Sequence, residues 1–130
     1  MINYNTFYKE LGNLFYAIAS SDGKISPDEK DKLNNEIQFN WKHFDTSTDR
    51  FGSDKAFVIQ YEFDTMEEKI GSPANAFDSF TSYFKENESA IDMHTRQRIF
   101  DSARRIAEST RKINTEELDY LVKLKKLMGI

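Results

Sequence analysis

The side chains best suited to chemistry are the carboxylates of one short acidic turn, Asp22-Gly23-Lys24-Ile25-Ser26-Pro27-Asp28-Glu29. Asp22, Asp28 and Glu29 offer oxygen ligands within eight residues. Hard divalent cations such as Ca²⁺ and Mg²⁺ take such ligands. The spacing brushes against the EF-hand loop: with Asp22 at loop position 5, Gly23 falls at 6 and Glu29 at 12. Position 1 would then be Ile18 and position 3 Ser20. An apolar residue where the first carboxylate belongs excludes a genuine EF-hand. A looser cation site built from Asp22, Asp28 and Glu29 remains. It competes with a purely structural role. Ser26 suits the helix N-cap, Pro27 the first helical position, and Glu29 the reciprocal arm of a capping box. The positive end of the next helix also disfavours a cation.

The second candidate cluster is basic. Arg96, Arg98, Arg104, Arg105 and Arg111 fall on or just after one helical segment. Arg96, Arg104 and Arg105 form a surface that could meet an acidic protein or a phosphate group. Pairing with Asp101 and Glu108 on the same helix is the structural alternative. His43 and His94 stand on separate elements, a poor start for a zinc site. The chain has no cysteine, which excludes disulfides, thiolate nucleophiles and Cys-type zinc sites. No nucleophile elbow, phosphate-binding glycine loop or dinucleotide fingerprint occurs.

Charge narrows the partners. Residues 1–93 carry 9 Lys/Arg against 17 Asp/Glu, a net of −8. Residues 94–130 carry 9 against 5, a net of +4. The acidic majority argues against nucleic-acid binding, which needs a basic footprint. The basic end can face the acidic part of its own chain, a second subunit in a homodimer, or a protein partner. The start, MINYNTFYKELGN, lacks a basic segment leading into an apolar run, and no stretch approaches 18 apolar residues. A cytoplasmic protein with no membrane span is the expectation.

These groups need elements to hold them. Apolar residues at three- and four-residue spacing predict a first helix over about 4–21, with Phe7, Leu11, Leu14, Phe15 and Ile18 on one stripe. Gly23 closes it. Helix two starts at Ser26-Pro27 and carries Leu33, Ile37, Trp41 and Phe44 inward. Residues 45–53 read as a loop. Segment 54–70 mixes strand-like alternation with helical spacing (Ala56, Ile59, Phe63, Met66, Ile70). A helix is favoured, because a lone strand has nothing to pair with. Ser72-Pro73 starts a fourth helix, with Phe77, Phe80 and Phe84 buried. A fifth spans about 89–109, with Ile99, Phe100, Ala103 and Ile106 inward. A sixth spans about 115–128, with Leu118, Leu121, Val122 and Met128 inward. The fold class is all-α: a compact bundle of about six to seven helices in a single domain, 1–130.

The chain also repeats itself. Ile18 to Leu33 reads IASSDGKISPDEKDKL, and Ile106 to Leu121 reads IAESTRKINTEELDYL, with eight identities in sixteen positions. Ser26 becomes Asn114, another good cap, and Glu29 becomes Glu117. Two helix–turn–helix units follow, over about 11–44 and 96–130, packing on each other around the central helices.

AIASSDGKISPDEKDKL, its degenerate second copy and the closing LKKLMGI resemble the TerB-like domain of tellurite-resistance proteins, similar in turn to the N-terminal domain of DjlA co-chaperones. The pattern positions are Asp22, Gly23, Ile25 and Glu29. The resemblance implies an all-α fold of about seven helices, no catalysis, a cytoplasmic stress-linked or envelope-associated assembly role, and a divalent-cation site (Ca²⁺ or Mg²⁺) at the acidic turns. The second copy departs from the pattern, with Thr110 for Asp and Arg111 for Gly. There is no His-Pro-Asp triplet, so the co-chaperone architecture is absent. The resulting expectation is a non-enzymatic interaction module with a protein partner. The alternative is a cation sensor or buffer at Asp22, Asp28 and Glu29.

Overall fold

A helix starts where a side chain can satisfy its first free N–H groups, and five caps set the frame of this chain. Asn3 caps α1 (Tyr4–Ala19), Ser26 caps α2 (Pro27–Glu36), and Ser72 caps α4 (Pro73–Glu86). Asp92 caps α5 (Met93–Glu108), and Asn114 caps α6 (Thr115–Met128). Helix α3 (Phe57–Glu68) has no side-chain cap. The computed structural model describes residues 2–44, 55–109 and 113–130. The loop expected at 45–53 lies outside the described residues, as do Thr110 and Arg111. Among the described residues there is no strand, and the ambiguous third segment is helical. The chain is a compact all-α bundle.

Helix α1 is its axis. Leu11 to Ser20 are buried without a break, so α1 is covered on every side rather than along one stripe. Helices α3, α4, α5 and α6 all pack on it. The approach of α3 is closest at Gly12: a Cβ there would stand 2.7 Å from the Ile59 carbonyl oxygen and 2.8 Å from Glu62 Cβ. Phe7, Phe15, Phe63, Phe80, Phe84 and Trp41 fill the interior.

Helix α2 does not run straight on to Phe44. Residues Ile37–Trp41 form a π turn, with Lys42 N–H donating to the Ile37 carbonyl at 2.8 Å. That turn carries Trp41 inward, where its Nε1–H donates to Ser102 Oγ at 3.0 Å. Ser102 donates to Glu36 Oε1 at 2.7 Å, and Arg105 donates to the same oxygen at 2.9 Å. This buried network ties the first helical hairpin to α5.

Three expectations need correction. Leu118 and Val122 are 52% and 47% exposed, and α6 instead buries Glu117, Leu121, Leu124 and Met128. The capping box draws Glu117 inward and so sets the rotation of the helix. Ile70 does not continue the buried stripe of α3: it lies beyond the helix end and is 87% exposed. Helix α5 starts at Met93, because a 3₁₀ turn at Glu88–Ala90 and the Asp92 cap come first. Among the described residues no helix is long and apolar enough to cross a membrane.

Candidate functional site

The acidic turn is built as its residue types dictate. Gly23 adopts φ 89°, which a side chain would resist, and its N–H closes on the Ser20 carbonyl at 2.8 Å. Asp22 Oδ1 accepts the Lys24 N–H at 3.0 Å, an Asx turn. Ser26 Oγ accepts the Glu29 N–H at 3.1 Å, and Glu29 Oε1 accepts the Ser26 N–H at 2.9 Å. The second copy makes the same reciprocal pair: Asn114 Oδ1 accepts the Glu117 N–H at 2.7 Å, and Glu117 Oε1 accepts the Asn114 N–H at 3.1 Å.

The two capping boxes meet. Asn114 Nδ2 donates to Asp22 Oδ2 at 3.1 Å, across 92 residues of sequence. Glu29 and Glu117, only 5% and 2% exposed, interact with each other at this junction. Two buried carboxyls that interact disfavour ionising together and favour holding one proton between them. Burial pushes Glu29 from 4.5 up to about 8, with the Glu117 carboxylate adding to the effect. Burial also raises Glu117, and Asp22 and Glu116 push the same way. The two carboxyls titrate as a pair, and both are raised. Among the described residues, the charged neighbours that shift this pair are acidic.

The expected triad is therefore not assembled as written. Asp22 and Glu29 reach the junction, and Glu117 joins them. Asp28 is exposed and lines a different groove, between α2 and α5, with Asp31, Arg105 and Glu108. Among the described residues no group of three or more His, Cys, Asp or Glu side chains is gathered so as to hold a metal ion. Sequence reasoning missed the role of Glu117. Its identity with Glu29 in the repeat was the available signal.

The three arginines are not brought together. Arg96 donates to the carbonyls of Ile91, Glu88 and Met128 and lies 5.0 Å from the centre of the Phe84 ring. Arg105 pairs with buried Glu36. Arg104 pairs with Glu108 one turn on, at the surface. The two histidines, on separate elements as expected, line one groove of about 550 Å³ with Phe39, Asp92 and Arg98.

A second feature borders the Asp-Gly turn. Helix α3 ends in a Schellman motif, with Gly71 N–H on the Met66 carbonyl at 2.9 Å and Ile70 N–H on the Glu67 carbonyl at 3.2 Å. The left-handed residue is Ile70, at φ 53°. Glycine is the usual occupant. A β-branched residue there costs about 1–2 kcal/mol. Ile70 rims a groove of about 560 Å³ walled by Tyr16, Ser20, Gly23, Ile25 and Glu67. Tyr16 Oη–H donates to the Gly71 carbonyl at 2.8 Å and fixes that corner against α1. Compared with known protein families, curated proteins and solved structures, the chain matches none.

Proposed function

We propose that the protein is a non-enzymatic, TerB-like interaction module. Its working surface is the groove between the Asp-Gly turn and the α3–α4 corner, and its context a stress-response or envelope-associated assembly in the cytoplasm. The single observation that supports this most is Ile70. It holds a strained backbone conformation, it is 87% exposed, and its side chain adds nothing to the core. Strain of this kind persists where something other than the fold requires the residue. An exposed apolar anchor beside a groove is what a protein partner needs. The test is a cross-linking pull-down from host lysate with the native protein and with Ile70→Asp, each first shown to have the same helical content. A partner captured by the native protein and lost with Ile70→Asp supports the reading. Identical capture contradicts it.

A second reading, a divalent-cation sensor or buffer, draws support from the Glu29–Glu117 pair. A Ca²⁺ or Mg²⁺ ion there would have to displace the proton and draw Asp22 in beside Glu29 and Glu117, because among the described residues no three such side chains are gathered around one point. Thermal unfolding with Ca²⁺, Mg²⁺, Mn²⁺, Co²⁺ and Zn²⁺ tests it. An ion at about 100 times its dissociation constant adds roughly 2.7 kcal/mol. A rise that disappears in Glu117→Gln supports this reading, and no rise with any ion removes it.

A further inference from the structure

We propose that the open groove between α4 and α6 docks an acidic, amphipathic segment of a partner protein. Both helices pack on α1, and they touch each other where the Phe77 and Tyr120 rings lie 5.0 Å apart. Beyond that contact they leave a groove of about 710 Å³. Its apolar part is Phe77 and Leu127, and its charged part is Lys85, Lys123 and Lys126 against one carboxylate, Glu88.

The lysines carry the inference. The chain as a whole is acidic, with 22 Asp/Glu against 18 Lys/Arg. Lys30 pairs with Glu67, Arg104 with Glu108 and Arg105 with Glu36. Among the described residues Lys85, Lys123 and Lys126 pair with no carboxylate. Asp119 stands one turn before Lys123, yet Lys123 Nζ lies 5.5 Å from the centre of the Tyr120 ring instead. Three like charges therefore surround a floor of Phe77 and Leu127, and among the described residues none of them pairs with a carboxylate. Repulsion among them disfavours that arrangement, and an acidic occupant relieves it. A segment that places leucines on this floor and carboxylates toward the lysines matches both halves of the groove. This surface shares no residue with the Ile70 groove, so the two proposals stand or fall separately.

The test is fluorescence anisotropy on the full chain with a labelled helical peptide of leucines at four-residue spacing and glutamates between them. Three parallel probes are the same peptide with lysines for glutamates, phosphatidylserine vesicles, and the protein alone in sedimentation equilibrium. Saturable binding of the glutamate peptide is expected. It should weaken at least about tenfold in Lys123→Glu/Lys126→Glu and in Lys85→Glu, weaken with added salt, and stay unchanged in Ile70→Asp. Unfolding midpoints establish that each variant is folded, and Lys85→Glu, on the other wall, keeps the test open if the double variant is not. No binding of the glutamate peptide overturns the proposal, as does binding that both charge reversals leave intact. Association with vesicles in place of the peptide assigns the groove to a lipid surface and overturns it. A dimer broken by Lys123→Glu/Lys126→Glu assigns it to a second copy of the chain and also overturns it.

Discussion

Glu117→Gln alters one atom of the junction and leaves its shape. The amide oxygen still accepts the Asn114 N–H, and the amide N–H₂ can donate to Glu29 without a shared proton. In the native protein the folded state holds a proton that the unfolded chain has released above pH 4.5, since Glu29 rises to about 8. The folded state thus binds more protons than the unfolded state between those values. Stability falls as pH rises through that window. At about 1.36 kcal/mol per pH unit the full loss is about 5 kcal/mol. Burial is the first cause of the shift and the Glu117 carboxylate a later one. The substitution therefore relieves part of that loss, on the order of 2 kcal/mol at pH 8.5, and changes little at pH 5. Urea unfolding followed by the fluorescence of Trp41, the single tryptophan and fully buried, reads the difference. With a slope of roughly 1–3 kcal/mol per molar urea, the midpoint at pH 8.5 moves up by about 1 M. A native protein equally stable at pH 5 and 8.5 would refute the reasoning. So would a variant that keeps the native pH slope or is weaker at pH 8.5.

Three further outcomes follow from particular contacts. Ile70→Gly relieves the left-handed strain and should raise stability by about 1 kcal/mol in thermal or urea unfolding, and a loss would show that the exposed side chain supports the fold. Ser102→Ala leaves the Trp41 indole N–H unpaired and removes one donor from Glu36, so urea unfolding should show a cost of about 1–3 kcal/mol, and an unchanged midpoint would contradict the network. Gly12→Ala forces a methyl against the Ile59 carbonyl and should cost about 1–3 kcal/mol by the same measurement, whereas tolerance would mean that α1 and α3 lie farther apart than described.

What the sequence made legible was local. Ser26-Pro27, Ser72-Pro73 and Asn114 announce helix starts because a cap and its target N–H lie three residues apart. Helical spacing also outweighed the alternation in the third segment. Features set by tertiary contact were less visible. The total burial of α1 comes from four helices surrounding it, which no property of its own stripe reports. Rotation of α6 is decided by the inward Glu117, so Leu118 and Val122 turn outward despite fitting an apolar pattern. The Ile70 exposure arises because the chain leaves α3 through a left-handed residue, a choice that usually advertises itself as glycine. At the candidate site, Asp22 and Glu29 were identified from their own turn. Glu117 required knowing that the second turn would fold against the first, which the repeat hinted at and only the three-dimensional arrangement supplied.

The junction of the two repeats is the centre of this account, and its carboxyls can be observed directly. Carbon-13 NMR titration of the glutamate side chains, assigned with Glu29→Gln and Glu117→Gln, follows each group from pH 3 to 10. Glu29 should titrate near 8, Glu117 above the ordinary glutamate range, and the two signals should respond to each other's ionisation. If both instead titrate independently near 4.5, the two capping boxes do not meet as described.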